Sequence, residues 1–312
     1  MTLIELMVSL TLGIFLTWGA FEVYVRSKSN YRAADAMTRL QENTRFALET
    51  LEPDLRLSGF WGRHREGGRI ERPGGIAVNC DGADVADWAL DLAQPVAATD
   101  DSYDLDCEPW SGARTDSDVL VLRHASERTN DAEAGRIQIH SDLGIATLFD
   151  DGVVPAGFSP AAQTHNLVVH AYYVDNASSF DDDLPSLRRQ TLVAGGLIED
   201  QEMITGVENL QVQFGLDTNS DGSVERYVDP SSPVLDEADP AFMPGARIVA
   251  VRLWLLVRSE ESPGADFRDR RNYQPLDGDI AAITPGDGGA YPDNFQRIAV
   301  MKTVYLRNQG AS

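Results

Sequence analysis

From Thr2 to Val25 the chain is apolar on every face of a helix, broken only by Glu5 and Glu22. A helix that is apolar all round is buried all round, in lipid or in protein. Leu3 to Phe21 is about 19 residues, close to the length that crosses a bilayer core as a helix. No basic stretch precedes it and no small-residue cleavage site follows it, so it does not read as a removable secretory signal. Beyond Val25 the pattern turns amphipathic. Tyr31, Ala34, Met37, Leu40, Ala47, Leu48, Leu51 and Leu55 recur at three- and four-residue steps. Arg32, Arg39, Glu42, Arg45, Glu49 and Glu52 fill the other faces. The two patterns join into one predicted helix of about 55 residues, roughly 80 Å long. Pro53 is expected to kink it and Gly59 to end it.

After the helix the period changes to that of strands. Candidates are 118–124, 136–140, 166–174, 186–193, 209–216, 247–258 and 297–307. In 209–216, Leu210, Val212 and Phe214 alternate with Gln211 and Gln213, the pattern of a half-buried strand. The run RIVAVRLWLLVR is nearly all apolar and is expected at the centre of a sheet. SLRRQTLV is expected to pair with NLVVHAYYV across the turn DNASSFDDD. A long helix followed by antiparallel strands is an α+β order. Residues 60–118 are rich in Gly, Asp and Pro and read as a loop-rich insertion. Residues 259–296 read as a long excursion between the last two strands. There, Arg268, Arg270 and Arg271 form a small basic patch, either solvated or a contact to an acidic subunit.

Composition narrows the function classes. The chain has 312 residues and a net charge of −23, with a pI near 4.4. That charge repels phosphate backbones, so nucleic acid is excluded as a partner, while divalent cations and basic partners are favoured. The only cysteines, Cys80 and Cys107, lie in one loop-rich stretch. If the membrane segment places the head outside the cytosol, a disulfide is expected; two buried free thiols are the alternative. The five histidines, His64, His124, His140, His165 and His170, show no metal-ligand spacing. His140 and His170 fall in strand patterns and read as sheet residues. No nucleophile elbow, phosphate loop or dinucleotide fingerprint is present, and the chain does not read as an enzyme.

Two features carry candidate chemistry. The loop DTNSDGSVERYVD places oxygen donors at Asp217, Asn219 and Asp221, followed by Gly222, the D-x-N-x-D-G spacing of calcium loops. The carbonyl of Ser223 would be the next ligand, and Glu225 or Asp229 would complete the shell. Position 12 is Val228 and the flanks are strands, so this is not an EF-hand. The competing reading is a metal-free Asx-turn hairpin. The second feature is Glu5. A carboxylate in a membrane segment costs several kcal/mol unless it is paired. Either it lies at headgroup depth, or it awaits a cation such as a neighbouring chain's N-terminal amine.

The stretch TLIELMVSLTLG resembles the N-terminal class III signature of type IV pilins and type II secretion pseudopilins. In that family a peptidase cuts before residue 1 and methylates the new amine. The resemblance implies that the chain is the mature form, that Glu5 is the assembly glutamate, and that Met1 is the modified residue, where the family usually has Phe. RFALETLEPDLRLSGFWG, SDVLVLRHA, SLRRQ, GVENLQVQFGLDTNSDGSVERYV, RIVAVRLWLLVRS and QRIAVMKTVYLRN look like PilW-type minor pilins.

The implied fold is α+β and type IV pilin-like: a long N-terminal helix packed on an antiparallel β-sheet head with long loops. Residues 1–25 would be the transmembrane and assembly half of the helix, and 26–58 its amphipathic half. Residues 59–312 would be the head, loop-rich over 59–117 and sheet over 118–312. The implied role is a minor pilin in the priming or tip complex that starts pilus assembly, serving adhesion and twitching motility. Implied partners are minor pilins of the PilV, PilX, PilE and FimU types, a PilY1-like tip adhesin and the major pilin. The head would be periplasmic on the bacterial inner membrane before assembly and extracellular afterwards. The alternatives are a type II secretion pseudopilin, whose largest tip subunit characteristically lacks the glutamate at residue 5, and a calcium-dependent surface adhesin.

Overall fold

A computed structural model describes all residues except Met1, 81–84, 265, 279, 287–288, 309–312 and the side chain of Ser29. One helix, α1 (Leu3–Leu57), runs without interruption for 55 residues, with Pro53 inside it. Ser58 closes it by donating its N–H to the carbonyls of Asp54 and Leu55. Gly59, at φ +76°, then turns the chain in the left-handed region that glycine tolerates.

The head holds two antiparallel sheets. The first contains β1 (Val96–Thr99), β2 (Val119–Ala125), β3 (Ala134–Ser141), β4 (Ala146–Asp151), β5 (Gln163–Asp175), β6 (Ser186–Val193) and β7 (Leu197–Thr205). Its order is β1-β2-β5-β3-β4, and β5 also carries β6 and then β7. The second sheet has the order β11-β10-β8-β9 and is built from β8 (Val207–Asp217), β9 (Arg226–Val228), β10 (Arg247–Arg258) and β11 (Arg297–Tyr305). The expected β5–β6 hairpin is present, with Val174 opposite Leu187. RIVAVRLWLLVR is central, flanked by β8 and β11.

The main core lies where α1 meets both sheets. Leu40, Ala47, Leu51 and Leu55 of the helix join Leu120, Leu122, Tyr172 and Leu187 of the first sheet and Leu210, Val212, Val251, Leu253 and Leu255 of the second. A second core lies under the loop-rich stretch, where Trp61, Ile76, Val78, Cys80 and Cys107 pack against Ile137, Ile139, Leu167 and Val169. The Cys80–Cys107 disulfide is formed inside this layer. Thus residues 59–117 are mostly irregular, yet they supply half of a core and the edge strand β1.

Candidate assembly helix and its junction with the head

The amphipathic pattern of α1 becomes contact with the head only from about Ala36 onward. Tyr31 and Ala34, expected on the packed face, are exposed. The first 33 or so residues of α1 therefore project freely, a length of about 50 Å. All fifteen large apolar side chains from Leu3 to Val25 stand exposed, from 48 % at Val25 to 80 % at Leu3. At roughly 1.5–3 kcal/mol per side chain, covering them would gain on the order of 20–40 kcal/mol. That is far more than a folded domain's net stability, so this half of the helix belongs in lipid or against other apolar helices. By length and composition α1 is able to cross a membrane, and within the span none of it is buried by the head.

Glu5 lies at the third helical position. Its Oε2 accepts the N–H of Thr2 at 2.8 Å, and its own N–H donates to Thr2 Oγ1 at 3.3 Å. This reciprocal pair is a capping box, which satisfies two of the helix's free N–H groups. In the single chain Glu5 is thus a cap, a role that the sequence reading had not assigned. Its carboxylate retains acceptor sites for a further partner. Met1, expected to carry the amine of the assembly contact, lies outside the described residues.

At the other end, the last turn of α1 is tied to the first sheet through Asp54. His170 Nδ1 and Tyr172 Oη both donate to Asp54 Oδ2 at 2.5 Å. His124 Nε2 stands 3.8 Å from Oδ1, near enough for electrostatics but not for a hydrogen bond. Burial works to raise the Asp54 carboxyl, but the His124 and His170 rings and the Tyr172 hydroxyl outweigh it and hold it well below the usual carboxylate range. Burial lowers His170 and outweighs the upward pull of the Asp54 carboxylate that it binds. Two residues earlier, Glu52 binds Lys302 of β11 and Arg56. The helix is therefore joined to both sheets by polar links as well as by its apolar face. The bonds of Asp54 to His170 and Tyr172 and of Glu52 to Lys302 join residues more than 100 positions apart, which no local motif reveals.

The acidic loop joins β8 to β9. Asp217 is fully buried. Its Oδ1 accepts the N–H groups of Asn219 (3.2 Å) and Ser220 (2.6 Å), and Oδ2 accepts that of Gly222 (2.9 Å) and Arg247 Nη2 (3.1 Å). Burial opposes its ionisation, but these N–H groups and Arg247 keep its carboxyl below the usual range. Asp221 accepts from Asn219 and Ser223, and Glu225 accepts from Thr218 and Ser223. Carboxylate oxygens of Asp217, Asp221 and Glu225 lie within 4.8 Å of one another. The structure thus gathers the residues named from the spacing, and shows that hydrogen bonds alone can organise the loop.

A second acidic group was not expected. Asp100, Asp101 and Asp118 also bring carboxylate oxygens within 4.8 Å. Burial and the neighbouring charges push Asp118 up to about 8 and Asp101 up to about 6. Asp118 accepts the N–H of Asp101 (3.0 Å) and of Val212 (2.7 Å), pinning the start of β2 to β8. The Arg268–Arg271 patch is largely compensated, with Arg271 on Asp269 at 3.0 Å and Arg268 on Asp293 at 3.5 Å.

Residues 171–308, from β5 through β11, match the family model of PilW, type IV pilus-assembly protein W. Among solved structures, a type IV-like pilin from Thermus thermophilus aligns over 87 % of this chain and 99 % of its own, with 11 % identity and a TM-score of 0.39. No curated protein matches the chain. The resemblance to PilW-type pilins drawn from the motifs is borne out by the family match, which covers residues 171–308, the C-terminal part of the head.

Proposed function

We propose that the chain is a minor pilin acting in the priming or tip complex that starts assembly of the type IV pilus. The observation that carries this reading is the exposed apolar half of α1, projecting from a head that packs only its other half. Such a helix first holds the protein in the inner membrane and then bundles with the helices of other pilins. Glu5 supports the reading in a specific way. In an apolar bundle its carboxylate can meet the N-terminal amine of a neighbour, and low surrounding polarity strengthens that pair. Register is then fixed, because an axial slip leaves a buried charge unpaired. The proposed partners are other minor pilins of the PilV, PilX, PilE and FimU types, a PilY1-like tip adhesin and the major pilin. Asp217, Asn219, Asp221, Ser223 and Glu225 are proposed calcium ligands, supported by the convergence of the Asp217, Asp221 and Glu225 carboxylates.

The test is complementation of a deletion strain with the full chain carrying Glu5→Leu or Glu5→Gln. Both variants are expected to insert and fold, yet to co-purify poorly with other minor pilins and to give fewer surface pili. Wild-type piliation and co-purification with Glu5→Leu would refute the assembly role. Normal pili but lost secretion in the deletion strain would move the protein to the type II secretion system.

A further inference from the structure

Among the described residues, strand β1 pairs with β2 alone and its other edge is free. The direction of its backbone groups follows from one bond: Arg123 donates its N–H to Pro95 O at 2.9 Å. Backbone groups alternate sides along an antiparallel strand. Ala97 and Thr99, opposite Val121 and Val119, therefore bond to β2. Val96 and Ala98 point their N–H and C=O groups the other way. Among the described residues, no hydrogen bond reaches these four groups.

They face a cleft of about 790 Å³ between β1 and the segment 230–248, a size typical of ligand sites. Its walls include Phe214, Val234, Leu235, Phe242, Met243 and Ile248. Apart from Phe214, these side chains are half-buried. The cleft's charge is acidic: Asp236 and Glu237 stand exposed on its rim, Asp100 and Asp101 follow β1 directly, and the lining Arg247 is ion-paired to Asp217. Free edges of this kind are usually blunted by lysine, proline or a covering loop. Val96–Thr99 carries neither lysine nor proline, its residues are small and uncharged, and among the described residues no strand pairs with its outer edge.

We propose that this cleft binds an extended segment of a partner protein that adds a strand to β1. The segment bonds to Val96 and Ala98 through its main chain, lays alternate apolar side chains against the 230–248 wall, and carries Lys or Arg at its ends. Main-chain bonds supply affinity in such an addition, and the side-chain pockets supply choice. This surface is separate from the apolar helix, so one subunit can be held in a bundle by α1 and grip a second protein with its head.

The probe is a fluorescent peptide, Lys-Val-Thr-Val-Lys, titrated onto the full chain in detergent micelles and read by anisotropy. Two N-methylated versions are compared, one blocked at the amides of both valines and the other at those of the threonine and the last lysine. One version is expected to lose at least tenfold in affinity and the other less than threefold, because only one peptide edge faces β1. Ala98→Pro removes the outward N–H without touching the β2 pairing, and proline is tolerated on an edge. It is expected to weaken binding tenfold or more at an unchanged melting temperature. Asp236→Lys with Glu237→Lys is expected to weaken binding at least fivefold at low salt. Equal losses for both methylated peptides, or no binding at 1 mM, would overturn the proposal. So would a dimer of the chain that the peptide dissolves, since a second copy would then occupy the cleft. The methylation comparison uses the wild-type chain and decides the matter even if Ala98→Pro fails to fold.

Discussion

Replacing Asp54 by alanine tests whether polar links, and not only the apolar face, hold the helix to the head. A carboxylate in the last turn is locally unfavourable, because it faces the negative end of the helix dipole, at a cost of about 0.3–1 kcal/mol. It is kept there with two donors, His170 Nδ1 and Tyr172 Oη, on one oxygen. Hydrogen bonds to a charged group contribute roughly 1.5–3 kcal/mol each, so the gross loss is about 3–6 kcal/mol. Relief of the dipole cost and of the buried charge returns part of this. The net destabilisation expected for Asp54→Ala is about 2–4 kcal/mol. For a head of this size that lowers the melting temperature by about 5–12 °C. The readout is near-UV circular dichroism of the full chain in detergent, which follows the packed aromatics of the head and not the helix. Glu49→Ala on the exposed side is the control and should cost under about 0.5 kcal/mol, since its bond to Arg45 is solvent-exposed. Asp54 is depressed in the folded state, so its contribution is present above the unfolded carboxylate value of about 3.9 and is lost as pH falls below it. The difference between variant and wild type should therefore shrink in acid. A destabilisation no larger than that of Glu49→Ala, at neutral pH, would refute the reasoning.

The remaining expectations are more direct. Intact mass should show two hydrogens fewer than the reduced chain. Reduction of Cys80–Cys107, 27 residues apart, should cost roughly 3–4 kcal/mol of head stability; two alkylatable thiols in the native protein would contradict this. Millimolar calcium should raise the melting temperature by mass action on the folded state, and Asp217→Ala with Asp221→Ala should abolish the rise; an equal rise in the double variant would clear this loop of the role. In EDTA, stability should fall from pH 6.5 to pH 8, above the range in which the lowered His140 and His170 titrate with the opposite sign. Asp101 and Asp118 have folded values raised to about 6 and about 8, so their contribution is complete below about 3.9 and is lost as pH climbs through those values. A flat or rising melting temperature across that interval would show that these carboxylates are not held as described.

The strands that the pattern revealed and those that it missed differ in one physical respect. The seven expected strands correspond to β2, β3, β5, β6, β8, β10 and β11. The missed ones, β1, β4, β7 and β9, are all sheet edges. An edge strand owes its place to main-chain pairing on one side, so its side chains need not alternate or be apolar. LIEDQEMIT of β7 carries four acids or amides in a row, and RYV of β9 is too short to show any period. β11 is also an edge, yet it was legible because it packs under α1, with Val304 in the main core. The helix itself was legible over its full length, since both of its patterns are helical. Where contact with the head begins was not, because Tyr31 and Ala34 continue the spacing beyond the last residue that the head can reach.

The same distinction separates the parts of the candidate site. Glu5 and the 217–225 loop are local patterns, so sequence alone could name them. Asp54, by contrast, looks like one more solvated charge on a helix rich in them, and Asp118 looks like the acidic residue that precedes a strand. Their roles arise only when β5 brings His170 and Tyr172 under the helix, and when β8 lies beside the start of β2. Both carboxylates sit at seams: Asp54 between helix and sheet, Asp118 between the two sheets. In the proposed role, with the helix in a bundle and a partner on the head, force passes across these seams. Apolar contact resists separation but permits sliding, whereas a buried carboxylate with fixed donors has one low-energy position. Polar links at the seams thus add positional definition to what the core supplies in cohesion.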